Sequence, residues 1–169
     1  YQPGETGYIT GETHGVIAYH DNNILIPWGC AGITTGINNL GIGQGIVNTQ
    51  DLVNTCSEAN FAAKFCNDLV VGIYDDWYLP NYAEFVAYMD QNVWNTWNIY
   101  SVWVSEEYDP NILSFGGNHC SGGICNSNLN AYIAIDFSNI PGFSRYIMGK
   151  DLINGTTGGT PHTIAFRQF

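Results

Sequence analysis

Apolar and polar positions follow three rhythms along this chain of 169 residues. Near the start, residues 14–20 (His-Gly-Val-Ile-Ala-Tyr-His) and 23–27 (Asn-Ile-Leu-Ile-Pro) read as a β-hairpin turning at Asp21-Asn22. Residues 100–105 and 131–137 alternate as strands, and 145–149 and the closing 162–169 complete a strand-rich second half. Helical spacing occurs twice. Ser57 can cap a helix running to about Val70, on which Phe61/Phe65 and Ala59/Ala62/Cys66/Leu69 share an apolar side. A second helix starts after Asn81 and runs to about Asn92, turning Phe85, Val86 and Met89 inward. Residues 29–49, rich in Gly, Asn and Thr, are too irregular for a helix.

The start of that second helix is the sharpest local signal. Asn81 can accept the amide of Glu84 on its side-chain oxygen, and Glu84 can reach back to the Asn81 amide, a capping box. Pro80 keeps Leu79 out of the helical region, so the chain arrives extended and then turns. Trp77 and Leu79 are core positions flanking that turn.

These elements make one α+β domain over residues 1–169, with two helices packed on a small, mainly antiparallel sheet. The first and last strands are expected to lie side by side. No repeat or linker interrupts the chain, and polar loops of about 10 to 25 residues join the strands. Structured loops of that length usually carry function.

Charge narrows the partners. Lys64, Arg145, Lys150 and Arg167 face 15 carboxylates, for a net charge of −11. Phosphate backbones need clustered basic groups, which disfavours nucleic acid, anionic membrane and sulfated polysaccharide. No run is long enough to span a membrane, and no leader is recognisable, although Tyr1 is not Met and the chain reads as processed or excerpted. Charged residues are only 11% of the chain and aromatic residues 14%, a composition suited to a rigid extracellular or virion protein.

The five cysteines form no paired CxxC motifs, so a structural zinc site is not expected. Cys120 and Cys125 bracket a flexible Ser-Gly-Gly-Ile loop that a disulfide could close, and Cys30 and Cys56 are the next pair. Cys66, on the apolar side of the first helix, reads as a buried free thiol. Such usage fits export, with which the sequon Asn154-Gly155-Thr156 is compatible.

Six motifs in order resemble a known family. They are Trp28-Gly29-Cys30; Gly43-Gln44-Gly45-Ile46-Val47-Asn48-Thr49; Ala62-Ala63-Lys64-Phe65-Cys66; Asp76-Trp77-Tyr78-Leu79-Pro80-Asn81-Tyr82-Ala83-Glu84-Phe85; Trp103-Val104-Ser105-Glu106-Glu107-Tyr108; and Ile164-Ala165-Phe166-Arg167-Gln168-Phe169. Together they cover nearly the whole chain and are similar to the C-terminal domain family of the Legionella collagen-like adhesin Lcl, which has a C-type-lectin-like fold. The family occurs in bacterial surface proteins and some phage proteins. Two positions depart from the pattern: Tyr78 stands where many members carry Arg, and Ala165 where many carry a Cys that pairs with the first helix. That second change leaves Cys66 without the family's partner. Residues 114–130 form an insertion outside the pattern.

Candidate chemistry is sparse. Glu106, Glu107, Asp109 and Asn111 could supply oxygens to calcium, since Asp109-Pro110-Asn111 resembles the triplet of calcium-dependent lectins. The Trp-Asn-Asp partner triplet of those lectins is absent, and a solvated acidic turn is the plainer role. The five-residue offset of Cys120 and Cys125 matches the reactive thiols of formylglycine-generating enzymes, but a thiolate there would want a positive neighbourhood that only His119 offers. His14, His20, His119 and His162 have no metal-binding spacing, and no Ser-His-Asp order or phosphate loop occurs.

Residues 91–146 are instead dominated by aromatic and amide side chains. Trp94, Trp97, Tyr108, Asn111, Asn118, Asn126, Asn128 and Tyr132 are the candidate ligand-binding set, because rigid aromatic area beside adaptable amides suits a binding loop. The resemblance and this loop set imply a non-catalytic adhesion domain on a cell or virion surface that recognises glycan or protein. The alternative is a structural subunit of a surface filament, fibre or virion decoration making protein–protein contacts, with a homo-oligomer (trimer or fibre) as one form of partner. Neither needs a cofactor.

Overall fold

The computed structural model describes residues 3, 9–21, 24–89, 101–107, 131–136, 144–149 and 161–169. Their order is β1 (Val16–His20), α1 (Gly45–Thr55), α2 (Ala62–Asp68), α3 (Tyr82–Met89), β2 (Ser101–Glu107), β3 (Ala131–Asp136), β4 (Ser144–Gly149) and β5 (Ile164–Gln168). The class is α+β, with three helices among the described residues and antiparallel strand pairs.

First and last strands do pair. β1 and β5 run antiparallel in a two-stranded sheet, with Val16 opposite Gln168 and His20 opposite Ile164. The other sheet has the order β2-β3-β4, also antiparallel. Isolated bridges tie β5 to the segment before α3 (Tyr78↔Phe166) and the residues just before β5 to β2 (Val102↔His162).

Of the hairpin expected across Asp21-Asn22, the described residues 24–27 form no strand, and β1 pairs with β5. Pro27 has no N–H to give a ladder, and the carbonyls before it serve other elements. Ile24 O accepts the Thr163 N–H at 3.4 Å, Ile26 O accepts the Trp103 indole N–H at 2.8 Å, and Pro27 O accepts the Ala62 N–H at 2.9 Å. The helix expected from Ser57 begins later, at Ala62, with Phe61 still extended (φ −156°, ψ 165°) at its N-cap. Cys56 is crosslinked to Cys30, and residues 56–61 run from that crosslink to the Pro27 contact.

A third helix begins near the end of the stretch that reads as irregular and runs beyond it. α1 has no apolar face to betray it, because its buried positions are Gly45, Asn48, Thr49 and Leu52. Polar groups are tolerated there because each finds a partner. Asn48 Nδ2 donates to Asn39 O (3.0 Å) and Ser105 Oγ (3.2 Å), while its Oδ1 accepts from Asn39 Nδ2 at 2.9 Å. The Thr49 hydroxyl reaches Gly45 O (2.8 Å) and Leu79 O (3.2 Å) and accepts the Leu79 N–H at 2.9 Å.

The core has two neighbouring parts. Trp28, Leu52, Phe61, Cys66, Trp77, Leu79 and Trp103 form one, beneath α1 and α2. Tyr78, Phe85, Met89, Val102, Val104, Ile164 and Phe166 form the other, between α3 and β5. Burying two indoles obliges their N–H groups to find acceptors. Trp28 Nε1 donates to Val104 O at 2.7 Å, just as Trp103 uses Ile26 O. Cys66 is buried and free, donates weakly to Ile164 O at 3.8 Å, and burial pushes its thiol well above the usual range.

Candidate functional site

The organising feature of the site is a set of buried carboxylates that receive main-chain N–H groups. Glu84 is the most connected. The capping box forms as expected, Asn81 N–H donating to Oε2 and Glu84 N–H to Asn81 Oδ1, both at 2.9 Å. The same carboxylate also accepts the Gly43 and Gly45 N–H groups (2.9 and 3.4 Å) and the Tyr78 hydroxyl (3.4 Å). One side chain thus joins the Gly-rich loop, the first turn of α1, the segment before α3 and α3 itself. Burial pushes its pKa up to about 7, against the opposing pull of the amides of Asn81, Gly43 and Gly45 and of Tyr78.

Gly45 is required by this geometry. A Cβ there would stand 2.2 Å from Glu84 Oε2, 2.9 Å from the Asn81 nitrogen and 2.9 Å from the Tyr78 ring. Gly43, with φ +88°, adopts the left-handed backbone that turns its N–H toward the carboxylate.

Glu106 and Glu107 extend the pattern. Both are buried. Glu106 accepts the Tyr82 N–H on both oxygens (2.8 and 2.9 Å) at the start of α3. Glu107 takes the Thr35 N–H at 2.9 Å and the Gly36 N–H at 2.6 Å, while its own N–H donates to Ile37 O at 2.7 Å. Each carboxylate offsets its desolvation with amide dipoles, and the two serve different elements. Glu106 and Glu107 thus hold the chain's own amides, a structural role the acidic run did not announce. Asp109 and Asn111, the other two of the candidate calcium set, lie outside the described residues, as do Trp94, Trp97, Tyr108, Asn118, Asn126, Asn128, Cys120 and Cys125. Tyr132 lies on β3, paired with Glu107 on one side and Met148 on the other.

The Cys30–Cys56 disulfide is formed, with an S–S distance of 2.03 Å and Cα atoms 4.8 Å apart. Cys30 has φ +52°, between Gly29 at +109° and Gly32 at +79°. From there to Gly43 the loop is shaped by left-handed glycines and by carboxylates beneath it, while Ile33 and Leu40 stay exposed on its outer side.

Two histidines remote in sequence come together. His20, at the end of β1, and His162, just before β5, meet edge to face with ring centroids 5.6 Å apart. Burial holds both below the ordinary imidazole pKa; His162 lowers His20 further and Asp21 opposes it. The expected adjacency of first and last strands was the signal that could have paired them. His14 bonds instead to Glu12 at 2.8 Å.

A short turn lies against β5. Val71 and Tyr74 exchange N–H···O bonds of 2.9 and 3.1 Å around Gly72-Ile73. The Arg167 guanidinium lies 3.9 Å over the Tyr74 ring and bonds Asp76 at 2.5 Å, pinning the turn to β5. Ile73 is 88% exposed and Val70 64%.

No family model matches the chain, and comparisons with curated proteins and with solved structures likewise find no match. No helix among the described residues is long and apolar enough to cross a membrane.

Proposed function

We propose that this chain is a non-catalytic extracellular binding domain, C-type-lectin-like and related to the adhesin C-terminal family, that recognises glycan or protein on a cell surface. The observation that carries the reading is the use of buried acid groups. Glu84, Glu106 and Glu107 spend their oxygens on the chain's own amides. Their arrangement suits a frame that fixes loops, and general acid or base work would need those oxygens released. In sequence, Trp94 and Trp97 lead into β2, and from its Glu107 end the chain continues into Tyr108 and the Asn-rich segment. The disulfide is compatible with an exported location.

The test compares the full chain with a variant whose residues 111–130 are replaced by a Gly-Ser linker, and with Trp94→Ala/Trp97→Ala, on a glycan array and on intact candidate host cells. Saturable binding by the parent, lost in the variants while melting temperature is kept, is the expected result. Equal binding by all three chains, or none by the parent, would end the proposal.

The apolar turn favours one second reading. Val70 and Ile73 expose aliphatic surface on a pinned turn, as a subunit contact would. If the chain is a structural subunit, mass photometry will show a concentration-dependent trimer or fibre that Ile73→Asp abolishes. A monomer at all concentrations rejects assembly by the chain alone.

A further inference from the structure

Among the described residues, one group of three metal-ligating side chains comes together. The sulfurs of Cys30 and Cys56 and a carboxylate oxygen of Glu58 all lie within 4.8 Å of one another. Here the sulfurs are joined, and two features make the corner more than a crosslink with an acid nearby.

Glu58 is only half satisfied. One oxygen, Oε1, accepts the Ala31 N–H at 3.0 Å, while Oε2 is buried with no hydrogen-bond partner. An ionised oxygen left so is costly unless a cation can reach it. Each cysteine also has main-chain bonds besides the S–S bond. Cys30 closes a turn in which its carbonyl accepts the Ile33 N–H at 3.0 Å, and Cys56 ends α1 with its N–H bonded to Leu52 O at 2.8 Å. Gly29, the residue before Cys30, packs so tightly on Phe61 that a Cβ there would lie 2.7 Å from the ring. Reduction therefore leaves two thiols facing one another beside a carboxylate.

We propose that Cys30, Cys56 and Glu58 of the reduced chain form a zinc site, so that this corner alternates between a disulfide and a metal-bound dithiolate. Two thiolates and one carboxylate match the ligand preferences of zinc, whereas thiolates are too soft for calcium or magnesium. Zn–S bonds of about 2.3 Å in a tetrahedral site ask the sulfurs to move to about 3.8 Å apart, a change that rotation about the Cα–Cβ bonds supplies. Neighbouring Ala31, Ser57 and Ala59 are exposed, leaving the fourth position to water.

The exchange balances. A dithiol reductant gives two electrons and two protons to the S–S bond, yielding two protein thiols and its own disulfide. Zinc then displaces both thiol protons to solvent as two Zn–S bonds and one Zn–O bond form. The loop 30–44 and α1 would thus stay tied together in reducing and oxidising surroundings alike.

The experiment uses the full chain carrying Cys120→Ser and Cys125→Ser, which leaves Cys66 as the only other thiol. After reduction with a phosphine it is titrated with cobalt(II) and then zinc against a chromophoric chelator. One metal per chain is expected, with thiolate-to-cobalt charge-transfer bands. Cys56→Ser should abolish binding, and Glu58→Gln should weaken it by about tenfold or more. The oxidised chain should bind none. A folded reduced chain that takes up no metal overturns the proposal, as does undiminished binding by Cys56→Ser or Glu58→Gln. If reduction unfolds the chain, zinc should restore its circular dichroism spectrum, and failure to do so overturns the proposal equally.

Discussion

Replacing Glu84 with glutamine keeps the shape of the side chain and removes its charge. The native carboxylate accepts three main-chain N–H groups and a tyrosine hydroxyl. At low pH both side chains are neutral, but the amide turns an NH2 toward the main-chain donors where the protonated acid still has an oxygen, so the variant should be less stable there by about 1–3 kcal/mol, the cost of leaving buried donors unsatisfied. The pH dependence is more informative. Burial raises the Glu84 pKa from 4.5 to about 7. The folded chain therefore holds this proton more tightly than the unfolded chain does. The resulting stability is complete below about pH 4.5 and is lost as pH rises through 7. At about 1.36 kcal/mol per pH unit, the loss is about 3 kcal/mol for this group, which is 3% exposed. Urea denaturation at intervals from pH 4.5 to 8.5 should show the gap between parent and Glu84→Gln closing by about that amount as pH rises. A gap that widens with pH would mean that the amide donors outweigh desolvation and hold Glu84 ionised. Parallel profiles would mean that Glu84 does not titrate in this range, and either result refutes the reasoning.

Three further outcomes follow from the same geometry. Gly45→Ala should cost about 2 kcal/mol or more by thermal melting, because its Cβ meets the Asn81 nitrogen and a carboxylate that three other groups also hold. Cys66 should resist iodoacetamide in the folded chain and react fully only once unfolded, since its thiol is buried and its pKa raised by that burial. His20 and His162 are held below their ordinary pKa, so the unfolded chain binds their protons more readily and stability falls as pH drops below about 6.5. His162→Asn should show a shallower acid-side decline in the same urea titration, and an unchanged slope would remove the pair from that account.

How much of this was legible depends on the range of each interaction. The capping box of Asn81 and Glu84 spans three residues, and its two halves were readable. That the same carboxylate also gathers Gly43 and Gly45 depends on contacts 41 and 39 residues away, which no local pattern encodes. α1 escaped notice because Asn48 and Thr49 fill its inner face and satisfy themselves on Asn39, Ser105 and Leu79. Glu106 and Glu107 looked like a solvated acidic turn because the loop amides that bury them lie far back in the chain. Strand positions survived better, since alternation reports which side faces the core wherever the partner comes from. The hairpin failed because alternation says nothing of which strand is that partner. The adjacency of the first and last strands and the Cys30–Cys56 pair were read correctly.

The pairing of β1 with β5 has a mechanical consequence. Beyond the ribbon, Gly15 and Phe169 exchange N–H···O bonds of 3.2 and 3.1 Å, so the two strands have neighbouring outer ends. Tension applied between those two ends would part the antiparallel pairs one at a time, beginning with Gly15 and Phe169 and then Val16 and Gln168, in an unzipping geometry that yields at low force. Tension borne through one end alone, with the load leaving by the loops, bypasses that zipper and loads the disulfide and the core instead. A tether on a single end is therefore the attachment under which this fold would carry a pull.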